Sequence, residues 1–135
     1  MTRHASPGHP AADPATPVVY GIPKCDTVKK ARAWLQAHGV EHRFHDFRKD
    51  GVSAAALYRW VAAVGAGVLI NRRGTTWRRL DVAQQAQADA ADGALQLMQA
   101  EPSVIKRPVV DWGDAVTVGF DADQWAARVT SWSRT

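Results

Sequence analysis

Residues 18 to 39 constrain the fold more than any other stretch of the chain. "VVY" at 18–20 is a short β-type run, Gly21-Ile22-Pro23 marks a turn, and Val28, Ala31, Leu35 and His38 then recur at helical spacing until Gly39 stops them. Trp34 supports the same face. A strand therefore hands over directly to a helix predicted from about Asp26 to His38, and the chain's single cysteine, Cys25, stands at the handover.

The remaining elements follow from the same signals. "VEHRFHDF" is β-capable, and after the turn at Lys49-Asp50-Gly51 comes Ser53, the N-cap of a helix with Leu57, Trp60, Val61 and Val64 on one face and Gly65 at its end. From Gly65 to Glu101 the pattern predicts short helices without strands, Asp92 capping the last of them. "VVDWGDAVTVGF" predicts an antiparallel hairpin, 109–111 with 116–119, around a Trp-Gly-Asp turn. A closing helix to about Val129 carries Asp121 as N-cap, Gln124 at its third position, and Phe120 with Trp125 as a hydrophobic staple. The order β-α-β-α, helical insert, β-β-α predicts an α/β domain of the thioredoxin type, a mixed four-stranded sheet flanked by helices.

The 135 residues, 46% of them hydrophobic, suit one core-forming domain, expected over 18–130 with its helical insert at about 65–102. Four of the seven prolines fall in residues 1–17, which otherwise offer little to bury, so this stretch is expected to be a disordered tail. It lacks the apolar segment of a signal peptide, and no run is long enough to span a bilayer; a cytoplasmic setting is expected. The net charge of +4 lies in the body of the chain, which therefore favours anionic partners. One cysteine excludes an internal disulfide and a CxxC pair, and with them a cysteine-rich zinc site. The tail histidines His4 and His9 are sparse, and His42 and His45, three apart on a strand-like run, face opposite sides; no metal and no nucleotide are expected.

At the head of a helix, unpaired amides and the positive end of the helix dipole favour an anion, so a thiol there ionises readily. Lys24 adds positive charge. The alternative is a small buried residue, because free cysteine is often buried; the position of Cys25 alone leaves both open. "SVIKRPVV" raises a similar choice: Pro108 is either the second residue of a cis bond that fixes Arg107, or an ordinary edge-strand proline. The arginines at 72, 73, 78 and 79 suit either a solvated surface or an oxyanion site. Trp34, Trp60 and Trp125 occupy core-facing helical positions, leaving the other tryptophans to surface or interface.

"VYGIPKCDTVKKARAWL", "LINRRGTTWRRL" and "IKRPVV", in that order, resemble the ArsC family. This is a thioredoxin-fold group of glutathione-coupled arsenate reductases, Spx regulators and YffB-like proteins, and the likeness runs from about Val18 to Val129, nearest to the YffB-like subgroup. The resemblance implies that Cys25 is a nucleophile and that Arg107, before a cis-proline at Pro108, faces the thiol. An insert arginine, Arg72 or Arg73, would complete an anion pocket.

Three departures matter. The arsenate enzymes carry an arginine after the last strand, where this chain has Gly119 and Phe120, and this argues against arsenate. Lys29 stands where they have an arginine four residues after the cysteine, keeping charge and losing the bidentate fork. Val28 replaces the second cysteine of the Spx CxxC. A single thiol needs an outside thiol to resolve its adduct, so the resemblance implies a glutathione-dependent thiol reductase that forms a Cys25–glutathione mixed disulfide. The alternative it carries is an Spx-like regulator binding RNA polymerase or another protein without redox turnover. Direct nucleic-acid binding is disfavoured, because no aromatic-basic platform or recognition helix is visible.

Overall fold

The computed structural model describes residues 16–132 of the protein. The tail expected over 1–17, including His4 and His9, lies outside these except for Thr16 and Pro17. Pro17 is tied to the sheet, its carbonyl accepting the Arg43 N–H at 2.9 Å.

Strand β1 (Val18–Gly21) leads through a turn into helix α1 (Asp26–Ala37), and β2 (Arg43–Asp46) returns parallel to β1, Val19 opposite Phe44. The strand then stops short of its β-capable run. Asp46 turns its carboxylate onto the Arg48 and Lys49 amides, both at 3.1 Å, and caps a one-turn helix α2 (Phe47–Asp50) instead. Ser53 caps α3 (Ala54–Val64), accepting the Ala56 N–H at 3.1 Å.

Four helices follow: α4 (Ala66–Leu69), α5 (Thr75–Arg79), α6 (Val82–Gln87) and α7 (Ala91–Ala100), with a 3-10 turn at Pro102–Val104. Helix α7 begins one residue before Asp92, which lies in its first turn rather than capping it. Gly93 permits the early start: a Cβ there would stand 2.3 Å from the Gln87 carbonyl oxygen, so the end of α6 sits directly against the backbone. The hairpin is β3 (Val109–Asp111) and β4 (Val116–Val118), and α8 (Ala122–Trp132) closes the chain.

The sheet order is β2-β1-β3-β4, with β3 antiparallel to both of its neighbours, a mixed four-stranded sheet with helices on both faces. Side-chain alternation assigns the faces. Val18, Tyr20 and Val109 point into a core shared with Trp60 on α3 and Met98 on α7; Val19 and Val110 point into another, built by Leu35 of α1, Trp112 and Trp125. Trp60, Trp112 and Trp125 are fully buried, each contributing about 1.5–3 kcal/mol through burial. Trp112 is thus a core residue, and its indole N–H has a partner in Thr117 Oγ1 at 2.9 Å. The staple at the head of α8 forms as the sequence predicts, the Phe120 and Trp125 rings 4.8 Å apart. At the end of β1, Gly21 packs directly on α1, where a Cβ would lie 2.7 Å from a Val28 methyl. That contact seats the head of α1, and with it Cys25, at the C-terminal end of the interior strand β1.

Candidate active site

Cys25 is itself the N-cap of α1, in extended backbone geometry (φ −78°, ψ 125°). Its N–H donates to the Ile22 carbonyl at 3.1 Å, and its carbonyl accepts the Lys29 N–H at 2.9 Å. An N-cap side chain stands where the first helical amides emerge without intrahelical partners. The sulfur is half-buried. Burial opposes its ionisation, but the Val28 amide, the Arg107 guanidinium and the Thr27 amide all favour the thiolate, and together they hold the thiol below its ordinary pKa.

The sulfur opens on a groove of about 560 Å³. One side is formed by Asn71, Lys106 and Arg107, and the other by β4 and the head of α8, from Thr117 to Trp125. A short ladder draws the first side together. Ile70 pairs with Ile105, the Asn71 N–H donates to the Val104 carbonyl at 2.8 Å, and the Lys106 N–H donates to the Leu69 carbonyl at 2.7 Å. The stretch from Leu69 to Asn71 thereby lies against the chain that enters β3. The peptide bond between Arg107 and Pro108 is cis. Arg107 donates from Nη1 to the Ser103 carbonyl at 3.0 Å, while its Nε is buried with no hydrogen-bond partner.

Of the residues singled out by sequence, Cys25 and Arg107 meet in the groove and Pro108 is buried behind it. Lys24 and Lys29 are exposed beside Cys25 and do not line the groove. Neither Arg72 nor Arg73 lines it. Arg72 lies over the Trp77 ring at 4.8 Å and 3.6 Å from Asp89; Arg73 is exposed, its carbonyl accepting from Arg78 at 2.9 Å. Their neighbour Asn71 faces the thiol's groove instead. Asn71 and Lys106 both sit inside the motifs "LINRRG" and "IKRPVV", so the sequence held the signal for them without saying which residue turned inward.

Gly119, at φ 85°, and Phe120 occupy the part of the groove where arsenate enzymes are expected to carry an arginine. A Cβ at Gly119 would lie 3.8 Å from Lys106 Cε, so the lysine arm passes over the glycine. His42 and His45 serve structure: Arg32 Nε lies 3.2 Å from His42 Nε2, and His45 Nε2 lies 2.8 Å from the Gly51 carbonyl. Among the described residues no group of three or more metal-ligating side chains is assembled, and no helix is long and apolar enough to cross a membrane.

The sequence model of the ArsC family matches residues 20–128. An uncharacterized protein of Haemophilus influenzae is 40% identical over 109 residues, spanning 81% of this chain and 95% of its own length. The solved structure of a protein named YffB is 48% identical with a TM-score of 0.78, covering 83% of this chain and 97% of that one. An arsenate reductase related protein from Brucella melitensis is 42% identical with a TM-score of 0.66, covering 83% and 92%. The global transcriptional regulator Spx of Streptococcus pyogenes is 26% identical over 104 residues, 76% of each chain. The two solved structures share this fold, a mixed sheet flanked by helices, which is the thioredoxin-like fold expected from the order of elements.

Proposed function

The chain belongs to the ArsC family, and on that premise we propose that it is a glutathione-dependent thiol reductase whose nucleophile is Cys25. The observation that carries this reading is the placement of the half-buried thiol at the head of α1, its pKa lowered by the Val28 amide and the Arg107 guanidinium against the cost of burial. A thiol whose pKa is lowered carries more thiolate, the form that attacks disulfides.

In the proposed cycle the Cys25 thiolate attacks the glutathione sulfur of a mixed disulfide. The substrate S–S bond breaks, the departing thiolate takes up a proton, and Cys25 is left bonded to glutathione. A second glutathione, as thiolate, then attacks the glutathione sulfur of this adduct, releasing the Cys25 thiolate and glutathione disulfide. One disulfide is reduced and one formed, with no metal or nucleotide required. Arg107 stabilises the thiolate as attacking and as leaving group; Lys24 and Lys29, exposed beside Cys25, and more generally the basic stretch with Arg72 and Arg73 add positive potential that draws the anionic tripeptide in. A reducing, cytoplasmic compartment suits a lone reactive thiol. The uncharged Gly119 and Phe120 argue against arsenate as substrate.

The similarity to Spx favours a second reading, a regulator that binds RNA polymerase or another protein through this fold with the thiol idle. Intact-mass analysis after exposure to glutathione disulfide separates the two. The reductase requires one glutathione adduct on the wild type and none on Cys25→Ser; no adduct on the wild type across the pH range would leave only the regulator.

A further inference from the structure

The groove beside Cys25 carries two opposite charges that leave each other alone. Lys106 and Asp121 both line it, at either end of the Gly119-Phe120 corner, and among the described residues neither makes an ion pair with the other or with any third group. Each has a defined setting. The Lys106 arm passes over Gly119, and its own N–H is fixed to the Leu69 carbonyl. Asp121 lines the groove and uses Oδ1 to cap α8, accepting the Gln124 N–H at 3.1 Å; among the described residues its Oδ2 makes no hydrogen bond. Phe120 and Trp125 add apolar surface to the same groove.

A cation and an anion that line one groove without pairing are complementary to a ligand that carries both charges close together. A purely anionic ligand gains from Lys106 and loses at Asp121, whereas an amino-acid head group satisfies both, carboxylate to Lys106 and ammonium to Asp121. We propose that Lys106 and Asp121 recognise the free α-amino-acid end of a thiol peptide whose sulfur reaches Cys25, and that Asp121 makes the free amine a requirement. This rests on the thiol-reductase reading above and adds a substrate class to it: γ-glutamyl thiols with an unblocked amino group. The groove volume of about 560 Å³ lies within the range of small-ligand sites. It also accounts for Gly119, since a long side chain there would fill the space between the two charges.

The test compares the rate of Cys25 adduct formation with three disulfides: glutathione disulfide, its N-acetylated counterpart, and uncharged bis(2-hydroxyethyl) disulfide. The wild type should react about tenfold faster with glutathione disulfide than with the acetylated form, as one charge-assisted contact is lost. In Asp121→Asn, where the amide oxygen still caps α8, that ratio should fall to about one; in Lys106→Gln both tripeptide disulfides should slow while the ratio persists. Equal wild-type rates for the free and acetylated forms overturn the assignment. If bis(2-hydroxyethyl) disulfide still modifies Cys25 in that case, the reductase reading stands. Failure of all three disulfides to react removes both.

Discussion

Arg107 commits one arm of its guanidinium to the Ser103 carbonyl at 3.0 Å, and its Nε, though out of solvent, meets no acceptor. A buried donor without a partner is costly unless something arrives to accept from it. The groove that Arg107 shares with Cys25 is where an acceptor would arrive, and the Cys25 thiolate already feels the positive charge.

Replacing Arg107 by Ala removes the guanidinium that favours the thiolate. The midpoint of iodoacetamide alkylation against pH should move up toward that of an ordinary thiol. Exchange with glutathione disulfide at neutral pH should slow by about tenfold, a conservative figure for one charge-assisted bond at a site open to solvent. Arg107→Lys keeps charge without the fork and should fall between. An unchanged midpoint in Arg107→Ala would assign the lowered pKa to the helix amides alone.

The same lowered pKa gives stability a pH dependence of fixed sign. Between the depressed folded value and the unfolded value of about 8.5, the folded state binds fewer protons, so stability rises with pH across that window. The contribution is complete above about 8.5 and lost as pH falls through the folded value. Cys25→Ser lacks it. Under reducing conditions, the unfolding free energy of wild type minus that of Cys25→Ser should grow as pH rises toward about 8.5 and then level off. A constant difference over that range contradicts a preferentially ionised thiol in the fold.

Gly21→Ala tests whether the seat of α1 controls the thiol. The new methyl would lie 2.7 Å from Val28 Cγ2, inside a fully buried contact, and overpacking of this kind costs about 1–3 kcal/mol. Because the Val28 amide belongs to the set that stabilises the thiolate, displacing the head of α1 should also slow alkylation at neutral pH. Adding Val28→Ala should restore part of the stability. Wild-type stability in the single variant would mean that the two elements shift apart freely.

What was legible in the chain was local. Ser53 and Asp121 cap the helices they precede, and Phe120 meets Trp125, because each signal acts across a few residues. The strand-to-helix handover at Cys25 was visible for the same reason. Phe47 was misplaced, since a β-capable residue and a capped helical turn compete there and the Asp46 carboxylate decides for the helix. Trp112, just past a three-residue strand, carries no periodic signal, yet it is buried by α1 and α8, which come from opposite ends of the chain. Asn71 and Lys106 were hidden for a related reason. Which residue of each basic motif turns inward is set by the pairing of Ile70 with Ile105, a contact between distant segments that no local pattern announces.

Among the described residues the one ion pair rooted in the core is Arg59 with Asp111, and it should behave unlike the surface pairs. Arg59 holds the buried carboxylate with Nε at 2.7 Å and Nη2 at 2.9 Å, and Asp111 also accepts the Gly113 N–H at 2.9 Å. The guanidinium is 47% exposed and the carboxylate 7%, so the two ends differ in what their removal leaves behind. Arg59→Met strands a charge inside the protein, whereas Asp111→Asn leaves an arginine that can turn to solvent. Removing one partner of a fully buried pair costs about 3–5 kcal/mol, and exposure on the arginine side reduces this to about 1–3 kcal/mol for Arg59→Met. Asp111→Asn should cost less, since its amide oxygen still accepts from Gly113. Denaturant unfolding at neutral pH measures the order. If Asp111→Asn is the more damaging change at neutral pH, the carboxylate is held by its other hydrogen bond rather than by the arginine.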